Sequence, residues 1–388
     1  MKKIAIFGST GSIGSSLLKI IKEDKKDFKI ELLTANKNYK KLIKQVMFFN
    51  VKNIILTDYN SFLIATKLLE NTKVKVFNNF DLLNKIFNIN NKIDYSMCAI
   101  SGFQGLKSTL DIIKFTKTIA IANKESIICG WNLIQKNLKK YMTYFIPVDS
   151  EHFSIWSLLN SSTINNFEKI YITASGGPFR KLSLEKFKNI SIKDALKHPN
   201  WFMGKKITID SSTMMNKVFE IIEAKKIFNI KYEQLEILIH PKSYLHAIIK
   251  FNNGLSKLLV HDTDMRIPIF NSLYSSSNKK IKSKKLDFQK LNNLKLKKID
   301  KKRFPIVKSL DKLDNNNSLF ETVMVAANDC LVDLFLDKKI RFTDISKILL
   351  KILSMSEFKV YKKKTPKNVE QITKLFNYVS FKINNMSI

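Results

Sequence analysis

Residues 4–7 form a short apolar run that stops at Gly8, the pattern of a buried strand, and residues 15–22 then place Leu17, Leu18 and Ile21 at helical spacing. Residues 28–34 read as a second strand, so the chain begins with a βαβ unit. The alternation continues, with strand-like runs at residues 53–57, 73–77, 95–100, 118–122 and 144–148 and helix-like stretches between several of them. This pattern predicts an α/β fold: a Rossmann-like, doubly wound, mostly parallel sheet up to about Asp149.

The pattern then changes. Residues 150–274 mix strand-like runs (170–174, 245–251, 258–261) with helix-like stretches, among them 214–228, and predict an α+β domain. Residues 275–303 are rich in Lys, Asn and Ser and read as a linker with one short helix. From Leu319 onward Phe320, Val323, Met324, Ala327 and Leu331 recur at helical spacing, which predicts a C-terminal helical domain over residues 304–388. The expected division is therefore 1–149, 150–274, a linker at 275–303, and 304–388.

Composition changes this picture little. The 388 residues are 45% hydrophobic and 26% charged, ordinary for a folded chain. Charge is less ordinary, with 67 Lys+Arg against 33 Asp+Glu and a formal net charge of +34. A nucleic-acid or acidic-membrane partner would concentrate such charge. Here Lys is spread along the whole chain among many Asn and Ile, which reads as compositional background filling exposed positions. No nucleic-acid partner is expected; were there one, the lysine-rich residues 278–303 would be its place. The field still attracts phosphorylated metabolites. Cys98, Cys129 and Cys330 form no CxxC pair and no even framework, which suits a reducing compartment. The apolar start ends at Gly8 with no hydrophobic core of a signal segment behind it, and no apolar stretch is long enough to span a bilayer, so a cytoplasmic protein without a membrane partner is expected.

Candidate chemistry begins at the glycines. Gly8-Ser-Thr-Gly11-Ser-Ile-Gly14 lies between the first strand and the first helix, where glycines let the backbone approach a pyrophosphate and a helix N-terminus offers free amides. The spacing is GxxGxxG rather than the commoner GxGxxG, and a structural glycine turn is the competing reading. At the end of the second strand an NAD enzyme usually places an acid. This chain has Ala35-Asn36-Lys37-Asn38 there, and Glu31 lies too early in the strand. Lys37 can pair with a 2′-phosphate, which favours NADP over NAD.

Asp149-Ser150-Glu151 follows a strand of the first sheet; read as an extended segment, it points both carboxylates the same way. Such oxygens suit Mg2+ or Mn2+, and no Cys/His zinc pattern is present. In residues 210–220, Asp-Ser-Ser-Thr-Met-Met-Asn-Lys-Val-Phe-Glu, a helix from Met214 puts Asn216 and Glu220 on one face, with Lys217 beside them and Ser211 placed to cap the helix or hold a phosphate. Ser175-Gly176-Gly177 reads as a turn with free amides. Residues 198–204, His-Pro-Asn-Trp-Phe-Met-Gly, read either as a covering loop or as a packing cluster, and Ala122-Asn123-Lys124-Glu125 as a loop able to aim a lysine. A different NADP oxidoreductase, semialdehyde dehydrogenase-like, would instead need a reactive thiol, for which Cys129 is the candidate.

Taken in order, residues 8–14, 122–126, 148–152, 175–180, 198–204, 210–217, Glu220, His240-Pro241 and Asp264-Met265-Arg266 resemble the 1-deoxy-D-xylulose 5-phosphate reductoisomerase family, and the tail, with Ala326-Ala327-Asn328 and residues 341–344, fits it too. The resemblance implies an NADPH-binding domain, a catalytic and dimerising domain, a linker, a helical C-terminal domain and a homodimer. It implies NADPH contacts at Thr10, Gly11, Ser12, Ile13, Lys37, Asn38, Asn123, Glu125 and Gly204, and a divalent cation (Mg2+ or Mn2+) on Asp149, Glu151 and Glu220. Substrate contacts fall to Lys124, Ser150, Glu151, Ser175, His198, Ser211, Asn216, Lys217 and Glu220, with Lys124, Glu151 and His198 in catalytic roles. The implied reaction rearranges and then reduces 1-deoxy-D-xylulose 5-phosphate to 2-C-methyl-D-erythritol 4-phosphate, an early step of non-mevalonate isoprenoid precursor biosynthesis. Asn36, Lys242 and Phe202 depart from residues frequent in the family; none is a metal ligand.

Overall fold

Runs of β-branched and apolar residues bounded by Gly, Asn and Asp make the strands of a computed structural model, which describes residues 1–160, 166–201, 203–274 and 278–386. Phe202 and residues 275–277 of the expected linker lie outside them. Contacts divide the chain into two compact units: residues 1–126, 133–149 and 265–282 form the first, and residues 127–132, 150–264 and 283–388 the second.

In the first unit seven strands form one sheet. They are β1 (Lys2–Phe7), β2 (Phe28–Ala35), β3 (Asn53–Leu56), β4 (Lys75–Phe77), β5 (Ile93–Cys98), β6 (Thr116–Ile121) and β7 (Tyr144–Pro147). Their order is β4-β3-β2-β1-β5-β6-β7, and every pair is parallel. The order reverses direction at β1/β5, the switch point of a doubly wound sheet, where such sheets bind ligands. The strands match the predicted runs to within two residues. Their central residues are largely hydrophobic, as expected of a parallel sheet covered by helices. Ile4, Ile6, Leu33, Ile54 and Met97 are fully buried among Leu17, Leu42 and Val46 of the covering helices. The Arg266–Leu273 helix returns to this unit, where the Ser272 hydroxyl meets the Tyr95 hydroxyl at 2.8 Å.

The second unit holds a five-stranded sheet of β8 (Phe167–Ala174), β9 (Leu235–Ile239), β10 (Leu245–Phe251), β11 (Ser256–Val260) and β12 (Lys297–Lys298), in the order β11-β10-β8-β9-β12. Only β8 and β9 run parallel. Helices Ser150–Asn160, Lys205–Thr213 and Met215–Phe228 belong to this unit, and so do the C-terminal helices Phe320–Leu336, Phe342–Ile352 and Val369–Asn384.

Two local expectations are corrected. Residues 149–151 are not an extended segment: a helix begins at Ser150, so Glu151 sits in its first turn. Ser211 does not cap the helix that follows Met214: it lies inside a preceding helix, Lys205–Thr213. Met214 separates the two in the left-handed conformation, at φ 73°. Among the described residues no helix is long and apolar enough to cross a membrane.

Candidate active site

The nucleotide end is built by backbone. Gly8 sits at φ 81°, which a side chain strongly disfavours, and a Cβ there would come within 2.6 Å of the Ala99 carbonyl oxygen. A Cβ on Gly14 would meet the Gly8 carbonyl oxygen at 2.5 Å. The loop is thus held against the switch point by close backbone packing. Gly11 is the N-cap of the Ser12–Glu23 helix, whose first-turn amides have no intrahelical acceptor. Thr10, Gly11, Ser12 and Ile13 line this cradle, which fits a pyrophosphate.

The loop is also braced in a way the sequence reading missed. Lys41 Nζ donates to the Thr10 carbonyl at 2.8 Å and to Ser15 Oγ at 2.7 Å, and Gln45 Nε2 donates to the Ser9 carbonyl at 3.0 Å. Both lie on the Tyr39–Phe49 helix, one turn apart; a polar pair at i, i+4 just after the second strand was the available signal. Lys37 and Asn38 are exposed at the end of β2. The Asn38 side chain caps that helix through the Lys41 amide at 3.1 Å, and the Lys37 backbone carbonyl accepts from Ser61 Oγ, leaving the Lys37 ammonium on the surface at the binding edge.

Asn123 caps the Lys124–Lys140 helix, with Oδ1 accepting from the Ser126 amide at 2.6 Å and Nδ2 donating to the Gly102 carbonyl at 2.7 Å. These bonds fix the start of the helix, so Lys124 is buried with its ammonium 3.1 Å from Asp149 Oδ2. Glu125 is buried beside it. Cys129 is 1% exposed, a poor position for a thiol nucleophile.

In the second unit the sequence puts polar groups on a buried helix. Asn216, Lys217, Glu220 and Glu223 fall at i, i+1, i+4 and i+7 of Met215–Phe228, whose remaining positions are largely apolar. Lys217 Nζ hydrogen-bonds Glu220 Oε2 and, at 2.9 Å, Glu151 Oε1. Asn216 Nδ2 donates to Glu220 Oε1, and Ser150 Oγ donates to Glu151 Oε2. Two buried carboxylates repel unless cations lie between them. Lys217 lies between Glu151 Oε1 and Glu220 Oε2, and such carboxylate oxygens are hard donors suited to a hard cation.

Around it stand residues that sequence did not single out as site members. His152 is fully buried, with Nε2 at 2.8 Å from the Glu220 carbonyl and Nδ1 at 3.2 Å from Glu223 Oε2. His246 Nδ1 lies 3.8 Å from Glu151 Oε1, and its ring stacks on His261 at 3.7 Å between centroids. Glu223, one turn past Glu220 on the same helix, was the signal available.

Ser175 and its glycines form the turn that was expected. Gly176 and Gly177 sit at φ 83° and 63°, and the Gly177 amide donates to Ser175 Oγ at 3.1 Å. A Cβ on Gly177 would lie 3.0 Å from the Ser211 carbonyl oxygen, so the turn packs against the end of the Lys205–Thr213 helix. His198 Nε2 meets Ser175 Oγ at 3.2 Å. Burial, together with the charge of Lys217, pushes the His198 pKa down to about 4. Gly204 is exposed and caps the next helix. Trp201 packs edge-on to His246, 6.4 Å between centroids.

A glycine-cradled parallel sheet in one unit and clamped carboxylates beside a Ser-Gly-Gly turn in the other define a class: a pyridine-nucleotide oxidoreductase that works on a small anionic compound with a hard cation. The 1-deoxy-D-xylulose 5-phosphate reductoisomerase family model matches residues 4–130, and models of its C-terminal domains match residues 145–228 and 261–379. The 1-deoxy-D-xylulose 5-phosphate reductoisomerase of Pelagibacter ubique is 76% identical over 100% of both chains, and that of a Sulfurihydrogenibium species is 38% identical over 92% of each. Among solved structures, the reductoisomerase of Zymomonas mobilis in complex with NADPH has a TM-score of 0.85 at 33% identity, covering 98% of this chain and 97% of its own. Another, with NADPH, fosmidomycin and magnesium, has a TM-score of 0.89 at 30% identity, covering 99% and 98%. The chain belongs to the 1-deoxy-D-xylulose 5-phosphate reductoisomerase family. It is an NADP-dependent oxidoreductase that uses NADPH and a divalent cation to convert 1-deoxy-D-xylulose 5-phosphate to 2-C-methyl-D-erythritol 4-phosphate.

Proposed function

We propose that Asp149, Glu151 and Glu220 hold the divalent cation and that the surrounding side chains divide the remaining work. One observation carries this reading: Lys217 bridges the buried carboxylates of Glu151 and Glu220. Asp149 stands two residues before Glu151 with Lys124 as its partner. When bound, the cation supplies Lewis-acid stabilisation of negative charge on the substrate's carbonyl and hydroxyl oxygens. NADPH supplies the hydride, held at Thr10, Gly11, Ser12, Ile13, Lys37, Asn38, Asn123, Glu125 and Gly204.

The phosphate of the sugar is taken by Ser175, Ser211, Asn216 and Lys217, an arrangement supported by the contact between the Ser175 turn and Ser211. His198 reaches the same phosphate through Nε2, beside Ser175. Lys124 and Glu151 handle protons on the carbon skeleton, with Ser150 orienting Glu151. Trp201 and Met203 cover the site and exclude water. The functional division follows residues 1–149 for NADPH, 150–274 for catalysis and dimerisation, 275–303 as linker and 304–388 as helical domain. The working form is a cytoplasmic homodimer, and the exposed Leu258 on the edge strand β11 supports an interface there.

Replacing Glu220 by Gln keeps the shape and removes the charge. Turnover is expected to fall at least about a hundredfold while NADPH affinity stays within about twofold, because the cation and not the nucleotide loses its ligand. Steady-state kinetics and NADPH fluorescence titration measure both; wild-type turnover in this variant would contradict the assignment.

A further inference from the structure

The lysine-rich stretch around residues 278–303 has no part in the reaction, yet it borders a cavity of about 820 Å3 in the second unit. That volume suits a small metabolite. Ile239, Pro241, Leu294 and Phe304 give it apolar walls. Six lysines line it as well: Lys290, and Lys181, Lys242, Lys295, Lys297 and Lys298. Lys290 is paired, but none of the other five side chains has a hydrogen bond or ion pair among the described residues. The lining acids are Asp287 and Asp300, and both are engaged: Asp287 with Lys290 at 3.1 Å, and Asp300 accepting from the Lys302 amide at 2.8 Å. Five uncompensated ammonium groups around one concavity repel one another, and a ligand bearing several negative charges relieves that repulsion.

The same walls hold two loops of the site. Arg180 lines the cavity, and its Nη1 donates to the Ser175 carbonyl at 2.8 Å. Its Cδ lies 3.0 Å from where a Cβ on Gly176 would stand. Pro241, opposite, accepts at its carbonyl from Asn200 Nδ2 at 2.9 Å, in the loop that carries His198 and Trp201. A charge bound beside Arg180 or Pro241 therefore acts on both the Ser175 turn and the covering loop.

We propose that this cavity is an effector site for a small organic polyphosphate, whose phosphates meet the lysines and whose apolar body packs on Ile239, Leu294 and Phe304. A single concavity with apolar walls suits such a molecule better than a nucleic acid, which needs a continuous track of cations. The effector role rests on the assignment of Ser175 and His198 to the substrate phosphate; the binding itself does not.

The test uses the full-length protein saturated with NADPH and free of divalent metal, with inorganic triphosphate as the probe in calorimetry. One site per chain is expected at physiological salt. A triple variant, Lys295→Ser with Lys297→Ser and Lys298→Ser, is expected to bind about tenfold or more weakly. Its kcat and KM without triphosphate should match the wild type, which also shows that it folds. At fixed free Mg2+, triphosphate should change the KM for the sugar phosphate about twofold or more in the wild type and not in the variant. Equal affinity in the wild type and the variant means an adventitious ion only and overturns the proposal. So does a single-stranded oligonucleotide that binds more tightly than triphosphate through the same lysines. Binding that leaves KM unchanged overturns the effector role, while loss of turnover in Glu220→Gln with triphosphate binding intact shows that the two readings fail or stand separately.

Discussion

His198 is held by its own loop: the backbone amides of Asn200 and Trp201 donate to Nδ1 at 3.1 and 2.8 Å. A nitrogen that accepts two N–H groups carries a lone pair, so the proton of the neutral ring is on Nε2, facing Ser175 Oγ. The folded pKa of about 4 lies below the ordinary 6.5, so the unfolded chain takes up this proton first. The contribution of His198 to stability is complete above pH 6.5 and is lost as pH falls toward 4. Nitrogen NMR of the ring is expected to show the neutral Nε2–H form from about pH 5 to 8; titration near 6.5 would contradict this environment. At this scale the sequence was partly legible. Asn216, Lys217 and Glu220 could be read because i, i+4 spacing is local. His246 and His152 could not, since their closeness to Glu151 and Glu223 is a product of packing across β10 and two helices.

Elements were legible where the chain is apolar and bounded by breakers, as in all seven strands of the first sheet. They were not legible where polar residues form helix under tertiary constraint. Lys205–Thr213 contains Thr, Ser and Asp, all modest helix formers. Its Asp210 is buried and accepts from Asn328 Nδ2 at 2.8 Å, a partner more than a hundred residues away. The helix starting at Ser150 was hidden likewise, because Asp-Ser-Glu suits a loop and a helix start equally well. β9 was not among the predicted strands, and it is fixed by parallel pairing to β8. An edge strand carries a consequence of its own. β11 pairs with β10 alone and leaves Leu258 48% exposed. If the homodimer forms through this unit, sedimentation gives twice the chain mass of 45.0 kDa, and Leu258→Lys raises the dissociation constant about tenfold or more. A wild-type monomer at micromolar concentration would contradict it.

For the whole molecule, the sequence carried the order of the two sheets' material but not how it regroups. Residues 265–282 join the first unit and 283–388 the second, and no local pattern announces that exchange. The net charge of +34 also means different things in different places. Lys41, Lys124 and Lys217 are tied to named partners, whereas Lys181, Lys242, Lys295, Lys297 and Lys298 around the cavity have none among the described residues. NADPH oxidation is coupled to a rearrangement that needs a divalent cation, which we propose sits on Asp149, Glu151 and Glu220. The most direct measurement follows NADPH absorbance with purified protein and 1-deoxy-D-xylulose 5-phosphate before and after EDTA, then with Mg2+ or Mn2+ restored. Turnover should vanish with EDTA and return with either ion, giving 2-C-methyl-D-erythritol 4-phosphate as product. NADPH oxidation that continues undiminished after complete removal of metal would contradict the claim.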